Sequence, residues 1–406
     1  MALAAFRWRN LPVNGKTVPS FWFGEKGLYG MSINSVASMG GRRPSTVDTA
    51  ALLRCAVEMQ ASDIHLKSNQ MPMVRINGEL SPMPGFPVFS ASGVRGIISS
   101  FLDDKKRKEW ELNLELDTAI ESEGVGRFRI NAYFDRQGPA AALRFIPAHI
   151  PSFEEIGLDK SLRDQLLPEA GLVLVTGAAG MGKSTTLAVL LDTVLKDRST
   201  HVLTLEDPIE FVLNPQKGIV SQREVGKHTH SFDNAFNSGL RQDPDIILIG
   251  ELRDAHAIEM ALTIAETGHL VLASLHSPDA TGTIERILGV VPSEHQPQAR
   301  TQLASSLKAI ISQKLLLRRD GAGRIAAREI LFNVPAIAAL IRDGRIHQIY
   351  SMIEMNGEAG MQTMEASLAA LHSAGLITAA EARLNAFRPD NLRLSNEGTG
   401  GKKGRR

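Results

Sequence analysis

The sequence predicts an α/β protein in which an α+β N-terminal domain precedes a parallel, doubly wound sheet and a helical C-terminal region. Three observations predict it. Apolar runs rich in Val, Ile and Leu alternate with helix-period segments between Gly171 and Ser277. A glycine-rich turn joins the first strand and helix of that series. Upstream, strand-like alternation and turn signals are mixed with two helical segments over about 100 residues.

Composition narrows the classes. A chain of 406 residues, 43% of them apolar, can bury cores for two or three domains. A formal net charge of +1 argues against a surface dedicated to nucleic acid or acidic lipid. Cys55 is the single cysteine, which excludes an intrachain disulfide framework and a four-cysteine zinc site and fits a reducing, cytoplasmic compartment. No window approaches ~18 uninterrupted apolar residues and the N-terminus lacks an apolar leader segment. Neither a signal peptide nor a spanning helix is therefore expected, and membrane association is expected only through a partner.

Residues 1–45 mix Gly, Ser, Pro and Asn around Phe21, Trp22 and Phe23, and read as a poorly ordered or docked extension. Residues 46–147 form the α+β domain. Its elements are a helix with Leu52, Leu53 and Val57, strands at Asp63–Leu66 and Met73–Ile76, and a helical stretch from Ser90 to Leu112. Two further strands, Arg127–Phe134 and Ala140–Ile146, complete it. A hairpin-like pairing of these two would bring Arg127, Arg129 and Arg144 to one edge, although for an isolated trio ordinary surface charge is the simpler reading. Residues 148–168 form a linker rich in Pro and polar residues.

The core, 169–335, opens with GLVLVTGAAGMGKSTT. Its Gly177, Gly180, Gly182, Lys183 and Ser184 fit G-x-x-x-x-G-K-[ST], a P-loop. Glycines let backbone N–H groups curl around a β-phosphate, Lys183 supplies a cation, and Ser184 offers a hydroxyl to Mg²⁺. The whole turn, Gly177, Ala178, Ala179, Gly180, Met181, Gly182, Lys183, Ser184 and Thr185, is the expected binding site for ATP. The following segment to Lys196 is helical and would aim its positive N-terminus at the phosphates.

Three more strand ends carry chemistry. HVLTLEDPIEF ends in Glu206 and Asp207, which with Ser184 are the expected Mg²⁺ ligands, directly or through water. Glu251 stands just past the apolar strand Ile246–Ile249, where a carboxylate can orient or deprotonate water, and is the expected general base. GHLVLASLHS is a buried strand flanked by His269 and His276, and an imidazole at a strand end can donate to an oxyanion. Glu206, Glu251 and His276 are expected to gather beside the P-loop. From Pro292 the chain reads as mainly helical, with Gln298–Leu317, a strand-like GRIAAREILF, and a C-terminal helical region over 336–390. The basic tail, 391–406, reads as disordered.

With these residues in view, positions 47–387 closely resemble the PilT-type family of type IV pilus retraction ATPases, within the secretion-ATPase superfamily of RecA-like hexameric motors. ASDIHL and RFRINAY look like that family's PAS-like N-terminal domain. GAAGMGKST, EDPIEF, REVG, DPDIILIGELRD and TGHLVLASLH follow in family order, and GMQTMEASL resembles its C-terminal region. The resemblance implies a PAS-like domain followed by a RecA-like ATPase core. It makes Glu251 the catalytic glutamate, Glu206 an Asp-box acid and His269 and His276 a His-box pair. It also assigns Arg129 and Arg144 to a nucleotide site completed between subunits of a homo-hexamer, where guanidiniums stabilise transition-state charge.

Three departures stand out. The P-loop interior is Ala-Ala-Gly-Met where the family usually has Pro-Thr-Gly-Ser. A helix that reads AIRNLIRE in retraction motors is here AIAALIRD, with Ala338 and Ala339 replacing arginine and asparagine. The N-terminal extension is also longer than in a plain retraction motor. The lone cysteine sets the chain apart from assembly-type relatives, which carry a tetracysteine zinc site.

The expected function is ATP-driven withdrawal of pilin for twitching motility, with inner-membrane pilus platform protein and other pilus machinery as partners and no nucleic acid. Location at the cytoplasmic face of the inner membrane, through partners, is implied. An accessory retraction paralogue and the motor of a related type II/IV secretion or conjugation system stay open. A nucleic-acid translocase and a nucleotide-gated regulator without turnover are less well supported, the first by charge and the second by the presence of Glu251 and both histidines.

Overall fold

The computed structural model describes residues 9–13, 16–20, 48–76, 78–146, 149–321 and 323–394. Phe21, Trp22, Phe23 and positions 395–406 lie outside them. Two short strands, β1 (Arg9–Val13) and β2 (Lys16–Ser20), pair antiparallel within a unit of their own, Met1–Val47. The sequence carried no strand expectation there.

In the second unit, α1 (Thr49–Glu58), β3 (Asp63–Lys67), β4 (Met73–Ile76) and β5 (Glu79–Pro82) come first. They are followed by α2 (Ala91–Phe101), α3 (Asp104–Asn113), β6 (Glu115–Ser122), β7 (Gly126–Asp135) and β8 (Gly138–Ile146). The strands form a six-stranded antiparallel sheet in the order β5-β4-β3-β8-β7-β6. The helix expected over Ser90–Leu112 is broken in two. Leu102 is extended and Asp103 caps the second half, its carboxylate accepting from Lys106 N–H at 2.8 Å.

After the short α4 (Arg163–Leu166), strands and helices alternate: β9 (Gly171–Thr176), α5 (Lys183–Asp197), β10 (His201–Glu206), β11 (Ile219–Glu224) and α6 (Phe232–Gly239). Next are β12 (Ile246–Ile249), α7 (Ala255–Glu266), β13 (Leu270–Leu275), α8 (Ala280–Val290) and α9 (Gln296–Ser306). β14 (Leu307–Leu317) and β15 (Arg324–Phe332) close a seven-stranded sheet in the order β11-β10-β12-β13-β9-β14-β15. All neighbours are parallel except the pair β14–β15. The four residues of β12 and all six of β9 and β13 are buried, as expected of strands covered by helices on both faces.

The expected helix over Gln298–Leu317 is a correction. Only its first part, α9, is helical, and Leu307–Leu317 is an 11-residue strand lying parallel to β9. Buried on both faces, LKAIISQKLLL has an apolar run that periodicity cannot tell from a buried helix. β11 is an edge strand with mostly half-buried residues, and its second half begins QREVGKHTHSF, which reads from its composition as a polar loop.

The remaining helices are α10 (Pro335–Arg342), α11 (Ile349–Met355), α12 (Met364–Ser373) and α13 (Ala379–Asn385). Glu365 is buried among them and accepts from Tyr350 Oη at 3.0 Å and from Arg388 N–H at 2.7 Å. None of the described helices is long and apolar enough to cross a membrane.

Candidate active site

The carboxyl ends of β9, β10, β12 and β13 meet on one edge of the larger sheet, the usual place for ligands in open parallel sheets. Gly177 leaves β9 at φ +144°, and a Cβ there would stand 2.5 Å from the Gln313 carbonyl oxygen. Only glycine fits that approach. Gly180 and Gly182 also adopt positive φ, and Ala178, Ala179 and Gly180 lie exposed at the mouth of the turn. Lys183 opens α5, with Ser184 in its first turn.

The sequence reading missed what holds this turn from behind. Gln313 of β14 is 1% exposed, and its amide donates to Met181 O at 2.6 Å while its carbonyl accepts from Thr186 Oγ1 at 2.9 Å. Its only sequence signal is a polar residue in an apolar run, readable once that run is known to lie beside β9.

Around the turn, functional side chains form one connected series. Lys183 Nζ donates to Gly177 O at 2.9 Å and Ala178 O at 3.0 Å, and lies 3.2 Å from His276 Nδ1. His276 Nε2 is 3.2 Å from Glu251 Oε1. Arg253 donates from Nε to Glu251 Oε2 at 2.9 Å and from a terminal nitrogen to Asp207 Oδ2 at 3.4 Å. Burial draws the Lys183 ammonium below its ordinary pKa, while the charges of Glu251 and Glu210 oppose the change. Glu251 is set by its flanks. Leu252 N–H donates to Ser274 O at 3.0 Å, and Ser274 Oγ donates to Gly250 O at 2.5 Å.

Glu206 is turned into the protein. Its oxygens accept from Thr204 Oγ1 at 2.7 Å, Gln222 Nε2 at 3.3 Å and Glu210 N–H at 3.4 Å, and burial raises its pKa to about 7. Asp207 beside it is exposed.

Arg129 and Arg144 are direct cross-strand partners in the β7–β8 register. Arg129 grips Asp117 through two nitrogens, at 2.5 and 3.1 Å, and approaches Glu210 of the core to 3.9 Å. Arg144 is exposed and pairs with Asp63 at 2.9 Å. Arg127, read as surface charge, is instead a structural link: it meets the buried Glu224 of β11 at 2.9 Å, joining the two sheets.

His269 does not join the site. It precedes β13, where its carbonyl accepts from Gly171 N–H at the start of β9, so about six residues of strand, roughly 20 Å, separate it from His276.

The residues present fit a nucleotide with its metal. The glycine cradle would be filled by a single Cβ, the lysine and the N-terminus of a 15-residue helix face one mouth, and Ser184 lies in that helix's first turn. Among the described residues no cluster of three or more His, Cys, Asp or Glu could hold a metal. That donor set suits an ion held mainly by phosphate oxygens and a hydroxyl.

Fold and site together define a P-loop ATPase. A sequence profile of the family "Type II/IV secretion system protein" matches residues 42–334. "Type IV pilus retractation ATPase PilT" of Pseudomonas aeruginosa is 43% identical over 346 residues, 85% of this chain and 100% of that protein. "Type IV pilus ATPase PilU" of the same organism is 38% identical over 343 residues, 84% of this chain and 90% of that protein. A crystal structure of the pilus retraction motor PilT with bound ADP superposes with a TM-score of 0.78 at 40% identity, covering 85% of this chain and 99% of that one. The chain belongs to the type II/IV secretion system protein family.

Proposed function

We propose that this chain hydrolyses ATP as a homo-hexamer to withdraw pilin from a type IV pilus, acting at the cytoplasmic face of the inner membrane through pilus machinery that includes a platform protein. The observation that carries the reading is the series Asp207–Arg253–Glu251–His276–Lys183, which connects the P-loop lysine to a carboxylate in position for base catalysis. The P-loop, Gly177 to Thr185, binds the triphosphate. Ser184 and Asp207, with Glu206 behind them, hold Mg²⁺ or its waters, and the ion when bound neutralises charge on the phosphates.

The protein's own residues divide the remaining work. Lys183 exchanges its loop carbonyls and His276 for phosphate oxygens. His276, released from the lysine, keeps Glu251 oriented through Nε2. Glu251 accepts a proton from the attacking water. Arg129, close to Glu210 of its own core, and Arg144 opposite it supply positive charge from the N-terminal domain. In this reading residues 46–147 are that moving domain, 148–168 its linker, 169–335 the ATPase core and 336–390 the C-terminal helical region.

One observation favours a second reading, an accessory retraction ATPase. α10 carries half-buried Ala338 and Ala339 where retraction motors have arginine and asparagine, and Ala338 packs on the core. That helix therefore lacks two polar contacts for a partner. Turnover assays and sizing of the wild type, Lys183→Ala and Glu251→Gln test the enzymatic part. Turnover in the wild-type hexamer and its loss in both variants is the expected result, and undiminished activity of Glu251→Gln removes the proposed base.

A further inference from the structure

Away from the P-loop, an open cleft of about 490 Å³ lies between α3 of the N-terminal sheet and the β11–α6 segment of the core. Lys105, Arg223, Lys227, His228 and His230 line it together with Gly, Thr, Asn and Ser residues, and no acidic side chain is among them. In a chain of net charge +1 this is a strong local excess of one sign. Like charges gathered in one concavity raise the local concentration of anions.

The cationic wall is built, not incidental to a loose loop. Arg223 is fixed by donating to Ala235 O at 3.1 Å and Ser238 Oγ at 2.5 Å. The loop is a closed turn, with His228 N–H donating to Glu224 O and Gly226 N–H to Thr229 O, both at 2.8 Å. His228 Nδ1 accepts from Glu224 N–H at 3.1 Å, so the neutral ring carries its hydrogen on Nε2 as a donor.

Nearby carboxylates are engaged elsewhere: Glu224 with Arg127, Asp233 with His256, Asp104 with Arg107. Among the described residues, Lys105, Lys227 and His230 have no ion-pair partner. The lining offers two imidazoles but no aliphatic or larger aromatic wall, so it selects charge over an apolar ring.

We propose that this cleft binds a compound bearing two linked phosphate groups, held by Lys105 from α3 of the N-terminal domain and by Lys227 and the imidazoles from the core. Occupancy would tie the two sheets together at a point remote from the nucleotide. A soluble diphosphate and the headgroup of cardiolipin, whose two phosphates are joined through a glycerol, share this chemistry, and the test separates them.

The full chain, given one equivalent of a non-hydrolysable ATP analogue to fill the P-loop, is titrated calorimetrically with inorganic pyrophosphate, and in parallel floated with phosphatidylcholine vesicles that contain or lack cardiolipin. Lys105→Ser/Lys227→Ser is the comparison, with its fold checked by circular dichroism and by affinity for the ATP analogue. One pyrophosphate per chain, weakened roughly tenfold or more in the double variant, supports a soluble ligand. Variant-sensitive flotation confined to the cardiolipin-containing vesicles supports the headgroup. No binding of either probe, or equal binding by wild type and double variant, overturns the site.

Discussion

Glu251 has both carboxylate oxygens occupied, by His276 and by Arg253, and this double hold shapes what substitutions at the site should do. Glu251→Gln keeps the shape and removes the base, so kcat should fall about 10²–10⁴-fold while nucleotide affinity stays near wild type. Arg253→Ala frees one oxygen of Glu251 and unties Asp207. It should lower kcat by roughly tenfold or more with little change in KM, read from steady-state kinetics.

A separate prediction concerns Glu329, which is 2% exposed and accepts from Ala280 N–H at 2.8 Å while its second oxygen lacks a partner. Burial raises its pKa from 4.5 to about 7. A carboxyl with a raised folded-state pKa favours folding below the unfolded value, and that contribution is lost as pH rises through about 7. Wild-type stability should therefore decline between pH 4.5 and 7 by up to roughly 3 kcal/mol from this group. Glu329→Gln should remove this group's share of the decline, leaving that of Glu206, and be seen as a higher Tm at pH 8. An unchanged pH profile in the variant would contradict the assignment.

At the scale of elements, the P-loop is as much a product of β14 as of its own glycines. Gly177 approaches the Gln313 backbone, and the Gln313 side chain clasps Met181 and Thr186. Gly177→Ala should weaken nucleotide binding by at least tenfold, because a Cβ at 2.5 Å from a carbonyl oxygen forces the turn to move. Fluorescent-nucleotide titration measures this.

This is also where sequence reading succeeds and fails for physical reasons. Strands buried by helices on both sides announce themselves as short apolar runs between turn residues, so β9, β12 and β13 were legible, with Glu251 and His276 just past the last two and Lys183 across the glycine turn from the first. The same continuous burial made β14 look helical. His269 and His276 flank the six residues of β13, so only His276 stands at the carboxyl end where the P-loop lies, although the family resemblance pairs the two. Glu206 read as an open ligand because sequence does not show which way a strand-end side chain turns. The Arg127–Glu224 pair joins residues 97 apart and left no local signal.

For the whole molecule, what matters is how the N-terminal sheet is coupled to the ATPase core. Arg127 and buried Glu224 are one coupling and the Arg129–Glu210 approach is another. Arg127→Ala leaves a buried carboxylate unpaired and should cost about 3–5 kcal/mol, visible as a lower Tm and faster proteolysis between the two sheets. A motor needs such contacts to transmit hydrolysis into movement, and the family's retraction members do mechanical work on pili by the names they carry.

The direct test of that central claim is a count of surface pili in a strain lacking this gene, complemented with wild type or with Lys183→Ala. Excess pili and lost surface motility, rescued only by the wild type, are the predicted outcome. Normal or absent pili in the deletion strain, or rescue by Lys183→Ala, would contradict a retraction motor driven by this P-loop.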